Sequence, residues 1–208
     1  MVRHSDGRFR SFACGSVLLF LGAVQLACGA PPVPSVSPAR AVTRAPRLDL
    51  GRIARDVHDR TNAERTRQQL PLLAWNAALA PLAQVHSDDM AARGFFGHQA
   101  PDGADVNARA RRLGLTCRLQ EGRNVYTGFS ENLFMLGTYR GYHAYTEGAR
   151  TWREYDYRAQ DDFAPEIVAG WMGSAGHRAN LLSRVQRSAA VALAVAADGR
   201  VYATQVFC

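Results

Sequence analysis

Between Asp49 and Gln68 apolar residues recur every three to four positions, at Leu50, Ile53, Ala54 and Val57, and Asn62, Ala63 and Arg65 continue the segment. That spacing predicts a first helix, which Pro71 ends. The pattern resumes in LPLLAWNAALAPLAQVHSDDMAARG, where Leu79, Leu82, Ala83, Val85 and Met90 form an apolar stripe. Asn76 is expected as the N-cap of this second helix, Pro81 suits its first turn, and Gly94 closes it. A loop with Phe95, Phe96, Gly97 and His98 follows, then a turn at Asp102 and Gly103 and a short basic helix, VNARARRLGL, ended by Gly114.

Residues 117–130 show no period and read as loop. They lead into SENLFMLG, a short apolar strand with Glu131 at its head. A carboxylate entering an apolar strand is either exposed at the strand end or held by a His or Arg partner. The next segment, residues 137–165, holds five of the seven Tyr together with Trp152 and Phe163. Thr146 to Tyr157 is expected to be helical, and Pro165 to start the helix EIVAGWM. The aromatic residues read either as a local mini-core or as the rim of a binding cleft.

In GWMGSAGHRANLL, from Gly170 to Leu182, Gly176 permits a sharp turn, Ser174 is placed to cap a short helix, and His177 follows the turn. Alone, this is either a capped helix start with a surface imidazole or one side of a cleft. The strongest strand signal comes last. SAAVALAVA, then Asp198 and Gly199, then RVYATQVF predict a β-hairpin with an Asp-Gly turn.

The first residues change the compartment. An Arg-bearing start and an apolar run from about Ser11 to Ala27, ending in small residues, have the layout of a secretory signal peptide over residues 1–28. VQLAC resembles a bacterial lipoprotein box that would lipidate Cys28, although Gln25 stands where Leu is usual. Lipid anchoring in the cell envelope and free extracellular secretion both stay open. Residues 29–47, rich in Pro, Ala, Val and Ser, read as a tether, and the domain spans 48–208.

At 208 residues and 47% hydrophobic content, the chain has room for one domain with one core after the leader is removed. The net charge of +7 comes from 25 basic residues, every one an Arg, against 18 acidic ones. They are scattered, with no basic stripe or fold signature for nucleic acid, so no nucleic-acid partner is expected. The excess suits solubility and loose attraction to anionic surfaces. Cys117 and Cys208 are the two cysteines left in an exported domain, and one disulfide between them is the simplest outcome; two separate buried thiols are the alternative. His86, beside Asp88 and Asp89 on the second helix, reads as structural, because neighbours one to three apart do not converge on one ion.

In order along the chain, TNAER (Thr61 to Arg65), LPLLAWNAALAPLAQVHSDDMA, FFGH (Phe95 to His98), SENL (Ser130 to Leu133), WMGSAGHRANLL and YATQVF resemble the CAP superfamily: cysteine-rich secretory proteins, antigen 5 and pathogenesis-related 1 proteins, in the short bacterial form. The resemblance implies an α+β fold, an α-β-α sandwich with a central antiparallel sheet and a large open cleft. It places His98, Glu131 and His177 on the cleft as ligands for zinc or another divalent metal. The family's second Glu falls on Ser174 here; Glu154 and Glu166 are near in sequence but match no motif. No phosphate-binding Gly-rich loop or GxSxG elbow is present.

The reading that follows is an exported or envelope-anchored binding module whose cleft takes an apolar or extended ligand, whether lipid, glycan or peptide. The alternative is a metal-dependent, peptidase-like hydrolase with Glu131 as general base. The segment 137–165 is longer than the corresponding connection in the short bacterial members, and it is expected to wall the cleft.

Overall fold

The computed structural model describes residues 45–208; the expected leader, with Cys28, and most of the tether lie outside the described residues. The elements run α1 (Leu50–Arg67), β1 (Ala74–Trp75), α2 (Ala80–Arg93), α3 (Val106–Arg112), β2 (Arg118–Glu121), β3 (Asn124–Thr127), β4 (Ser130–Gly137), β5 (Tyr139–Glu147), β6 (Arg150–Tyr157), α4 (Gln160–Gly173), α5 (Ala175–Leu181), β7 (Ser188–Val195) and β8 (Arg200–Phe207). One four-stranded sheet, ordered β1-β7-β8-β4, forms the centre, with β1 parallel to β7 and the other pairs antiparallel.

The period of two in β7 and β8 builds two cores, one on each face of that sheet. Ala189, Val191, Leu193, Val201, Ala203 and Phe207 face α1 and α4, where they meet Ile53, Val57, Phe163, Ile167 and Trp171. Ala190, Ala192 and Val206 face the other way, against Leu79, just before α2, and Leu82 and Ala83 of α2, and Tyr202 packs with Met90 and Leu133. Both faces are therefore covered by helices, which is the expected α-β-α sandwich. Each core also pins its sheet with a buried polar contact. Gln205 Nε2 donates to Thr61 Oγ1 of α1, and Ser87 Oγ of α2 donates to Ala192 O while sharing a second hydrogen bond with the Thr204 hydroxyl, 2.8 Å away.

The segment TNAER is scaffold. Asn62 of α1 exchanges hydrogen bonds with the backbone of Leu73, at 2.8 and 3.0 Å, fixing the turn into β1. Arg65, fully buried, donates to the carbonyls of Pro71, Leu181 and Ser183. A cation at the C-terminal carbonyls of α5 also meets the negative end of that helix.

Several expectations are corrected. Thr146 to Tyr157 is not helical: it lies in the β5–β6 hairpin, whose strands place Tyr142 opposite Tyr155 and Tyr145 opposite Trp152. The aromatic and β-branched content favours strand, and Gly148 at φ 58° makes the turn. Residues 117–130, read as loop, contain the β2–β3 hairpin turned at Gly122, φ 59°. The second helix starts at Ala80, not after Asn76, whose side chain instead accepts from Ala78 N in a local turn. α4 starts at Gln160, five residues before Pro165, with Asp162 accepting from Ala159 N. Pro165 sits inside the helix, where its missing N–H forfeits one helical bond. Ser174 is the N-cap residue of α5, but its side chain makes no capping bond.

The terminal hairpin forms as expected, with Gly199 at φ 83°. Cys117 and Cys208 are disulfide-bonded across a sequence separation of 91. The bond ties the loop after α3 to the residue that follows β8.

A candidate two-histidine site at the edge of the sheet

β4 is the last strand of the central sheet, and its outer edge would present unpaired backbone groups. The GWMGSAGHRANLL segment closes that edge with side chains. Trp171 Nε1 donates to Leu133 O at 2.9 Å, and Asn180 Nδ2 reaches Glu131 O at 3.3 Å and Asn132 Oδ1 at 2.9 Å. Asn132 Nδ2 in turn donates to His177 O at 3.0 Å. Seating Trp171 requires α4 to lie very close to β4. A Cβ on Gly170 would stand 2.0 Å from the ring of Phe134, so only glycine allows the approach.

This seam delivers His177 to the start of β4 from one side of the sheet. From the other side, the loop after α2 delivers His98. The two imidazole centroids lie 6.2 Å apart, and His98 Nδ1 is 3.0 Å from Glu131 Oε1. With Nδ1–H donating to the carboxylate, His98 turns Nε2 away from Glu131. His98 is exposed, His177 half-buried, and the Glu131 side chain only 2% exposed. The three residues expected to share a site are therefore neighbours.

The buried end of the carboxylate is held by a residue that sequence reasoning did not single out. Arg109 of α3 places Nη2 2.5 Å from Glu131 Oε2 and donates through Nη1 to the carbonyls of His98 and Ala104. One guanidinium thus fixes both the carboxylate behind His98 and the backbone of His98 itself. Within the basic run VNARARR, no periodicity separates the buried Arg109 from its exposed neighbours. His86, read as structural, is fully buried beneath this group, with Nε2 3.0 Å from Gly97 O and 3.9 Å from Glu131 Oε1. It holds the loop that carries His98.

Burial lowers the pKa of His177 below 6.5, and the neighbouring His98 adds to the effect; burial also lowers that of His86, against the opposing charge of Glu131. His177 is consequently neutral at pH 7, with a lone pair free to bind. Two imidazoles sharing one zinc ion at about 2.0–2.1 Å place their centroids about 5–6 Å apart, close to the separation seen here. Glu131 differs as a donor, since its two oxygens are engaged by His98 and Arg109. Among the described residues no group of three or more His, Cys, Asp or Glu is arranged to hold a metal ion. The donor set fits an open two-imidazole site backed by a carboxylate.

Glu154 and Glu166 are engaged elsewhere. Glu154 accepts from Tyr145 Oη within the hairpin, and Glu166 pairs with Arg140 and Arg158. The root of that hairpin is fixed by Arg158, which donates to the carbonyls of Gly137 and Tyr139. Gly137 is at the opposite end of β4 from Glu131, about 20 Å along a strand of 3.3 Å per residue. Both hairpin ends thus leave the fold far from His98. Nearer to the site, a groove of about 690 Å³ between α2 and α3 is lined by Val85, Ala92, Arg93 and Leu113, with Arg109 shared between groove and site.

Known proteins place this architecture. An outer surface protein from Borrelia burgdorferi superposes with a TM-score of 0.53 at 11% identity, over 79% of this chain and 97% of that one. An extracellular protein containing an SCP domain from Bacillus anthracis gives 0.49 at 23% identity, over 76% of this chain and 40% of that one. A cysteine-rich secretory protein from Staphylococcus aureus gives 0.47 at 18% identity, over 78% and 40%. The chain therefore spans about 40% of the length of the Bacillus and Staphylococcus proteins. No curated protein sequence matches it. Residues 58–207 match the CAP family, the cysteine-rich secretory protein family, and with that match covering most of the chain, from α1 to the end of β8, the protein belongs to the CAP family.

Proposed function

We propose that this protein is an exported CAP-domain binding module, and that His98 and His177 hold a divalent cation such as zinc at the mouth of a ligand cleft. The observation that carries the reading is the state of Glu131. Both of its oxygens are engaged and its side chain is 2% exposed, so it serves to orient His98. A hydrolase would need that carboxylate within reach of a water or a substrate proton. The bound cation supplies a positively charged anchor for a ligand oxygen. The protein's own part is to keep His177 neutral by burial, to aim His98 Nε2 outward, and to hold both imidazoles against one rigid edge strand.

The groove beside Arg109 has the size of a small-ligand site, and its apolar residues are bordered by ion pairs, Arg93 with Asp89 and Arg112 with Asp102, a lining that suits an extended ligand with an apolar body and polar edges. Export is supported by the Cys117–Cys208 bond, which persists in oxidising compartments, and by the signal-peptide layout of the first 28 residues. Anchoring through Cys28 is the envelope-bound form of the same proposal. The Borrelia and Bacillus proteins are described as an outer surface and an extracellular protein, in keeping with export.

Calorimetric titration of zinc into the purified protein tests the site. Binding that His98→Ala and His177→Ala each abolish supports the reading, while unchanged affinity in both variants rejects it. Turnover of peptide substrates that disappears with Glu131→Gln would establish the hydrolase in its place.

A further inference from the structure

The β5–β6 hairpin has no part in the site just described, and its composition has no explanation in the fold. Its two strands pack chiefly on each other. Its root is rigid: besides the bonds of Arg158, Arg140 pairs with Asp162 and Glu166 of α4. Strand pairing then sorts its aromatic residues into two groups. Tyr139, Tyr142, Tyr155 and Tyr157 share one face, with Tyr139 and Tyr155 edge to face at 4.8 Å, and form a self-packed cluster from the root upward. Tyr145 and Trp152 lie on the opposite face, close to the Gly148 turn, with rings parallel to within 15° and centroids 5.4 Å apart. His143, Arg150 and Glu154 alternate onto this same face. Glu154 accepts from Tyr145 Oη, and the guanidinium of Arg150 stands 5.8 Å from the Trp152 ring.

We propose that the distal half of this hairpin is a glycan-binding platform. Tyr145 and Trp152 pack against the apolar C–H faces of a neutral oligosaccharide, while Arg150, His143 and Glu154 hydrogen-bond its hydroxyl groups. The tyrosine cluster on the other face stiffens the arm so that the platform is held out from the sheet. Charge selects this occupant. From Tyr139 to Tyr157 the hairpin carries Arg140, Arg150 and Arg153 against Glu147, Glu154 and Asp156, a balance that gives no net attraction to an anionic membrane or polymer. Size argues against a second copy of the chain. Two aromatic side chains offer about 300–500 Å², well under the roughly 800 Å² per partner of a stable protein interface. A pair of rings bordered by both donors and acceptors is matched instead by a ligand with alternating apolar faces and hydroxyl edges.

The test is a titration of the ¹⁵N-labelled protein with a soluble β-1,4-linked N-acetylglucosamine hexamer, followed by amide shifts. Shift changes confined to residues 143–154 are expected, with affinity falling about tenfold in Trp152→Ala, as befits the loss of one stacked ring, and largely kept in Trp152→Phe. Cross-strand amide contacts between Ala144 and Arg153 report whether Trp152→Ala keeps the hairpin; if they are lost, the comparison of Trp152→Phe with Arg150→Ala decides. The proposal is overturned if millimolar hexamer leaves the hairpin unshifted, or if the shifts survive Trp152→Ala with the hairpin intact. Hairpin shifts caused by anionic vesicles or by self-association, with no response to the hexamer, overturn it equally. Because these residues lie outside the two-histidine site, zinc titration of the same samples tests that site independently.

Discussion

Arg109 Nη2 stands 2.5 Å from Glu131 Oε2, with the two side chains 6% and 2% exposed, so the charge behind His98 is neutralised out of contact with water. Removing one member leaves the other charged and buried. Arg109→Met is therefore expected to cost about 3–5 kcal/mol in urea unfolding, the range for breaking a buried pair. The double variant Arg109→Met, Glu131→Gln should recover part of that loss, because the stranded carboxylate is gone. Equal stability of the single variant and the parent would show that the pair contributes nothing.

Gly170 gives a prediction in which two effects oppose each other. Within a helix, replacing Gly by Ala gains up to about 1 kcal/mol of propensity. Here the added Cβ would stand 2.0 Å from the Phe134 ring, and overpacking of this kind costs about 1–3 kcal/mol. The clash should win, lowering the melting temperature of Gly170→Ala. Adding Phe134→Leu ought to restore stability by opening the space; a lone Gly170→Ala that raises the melting temperature would mean α4 can retreat from β4 freely.

How much of this was legible in the sequence depends on the range of the interaction. The β7–β8 hairpin, α1 and the end of α2 at Gly94 rest on local period and turn chemistry, and each formed where expected. The β5–β6 hairpin did not, since neither Tyr145 nor Trp152 follows a strict alternation with other apolar residues, and only their pairing across the turn reveals the strand. The candidate site divides in the same way. His98, Glu131 and His177 could be named through a family resemblance, whereas Arg109 and Asn132 act through partners 22 and 45 positions away, a relationship that no local pattern encodes.

Three histidines give the stability a pH dependence of definite sign. Burial is the leading cause that lowers the pKa values of His58, His86 and His177 below 6.5. Between those lowered values and 6.5 the unfolded chain binds more protons than the folded one, so stability rises with pH through this window and is lost as pH falls. Thermal melts from pH 7.5 downward should hold level until about pH 6.5, the ordinary histidine value, and then decline. His86→Gln should flatten the decline, although its baseline stability will be lower. A melting temperature constant to pH 5 would contradict the lowered values.

Cys117 and Cys208 close a loop of 91 residues that includes every strand from β2 to β8. By loop-closure entropy, a bond of this span stabilises by about 4–5 kcal/mol. Reduction, or Cys208→Ser, should lower the unfolding free energy measured in urea by a comparable amount, and an unreduced digest should yield the linked peptides. Two thiols that alkylate readily in the native protein would exclude the bond in solution.

The last prediction concerns what the β5–β6 hairpin does not do. Its length and aromatic content suggest a wall over the cleft, and a wall would be expected to control access to His98 and His177. The root argues otherwise. The hairpin departs at Tyr139, next to the Gly137 end of β4, and returns at Arg158, before the start of α4. Glu131 is at the far end of β4, and His177 lies beyond the far end of α4, which rises about 20 Å over its fourteen residues. Each connection thus carries the chain a full element's length before it reaches the site. Replacing residues 141–156 by a short Gly-Ser turn keeps Arg140, Arg158 and their contacts with Asp162 and Glu166. The shortened protein should fold and melt cooperatively, since neither core cluster of the sheet includes a hairpin residue. Zinc affinity measured by calorimetry should match that of the parent within about twofold, a difference under 0.5 kcal/mol. A change of tenfold or more in either direction would mean that the arm folds back over the histidines, and the cleft would then have the wall that its composition suggests.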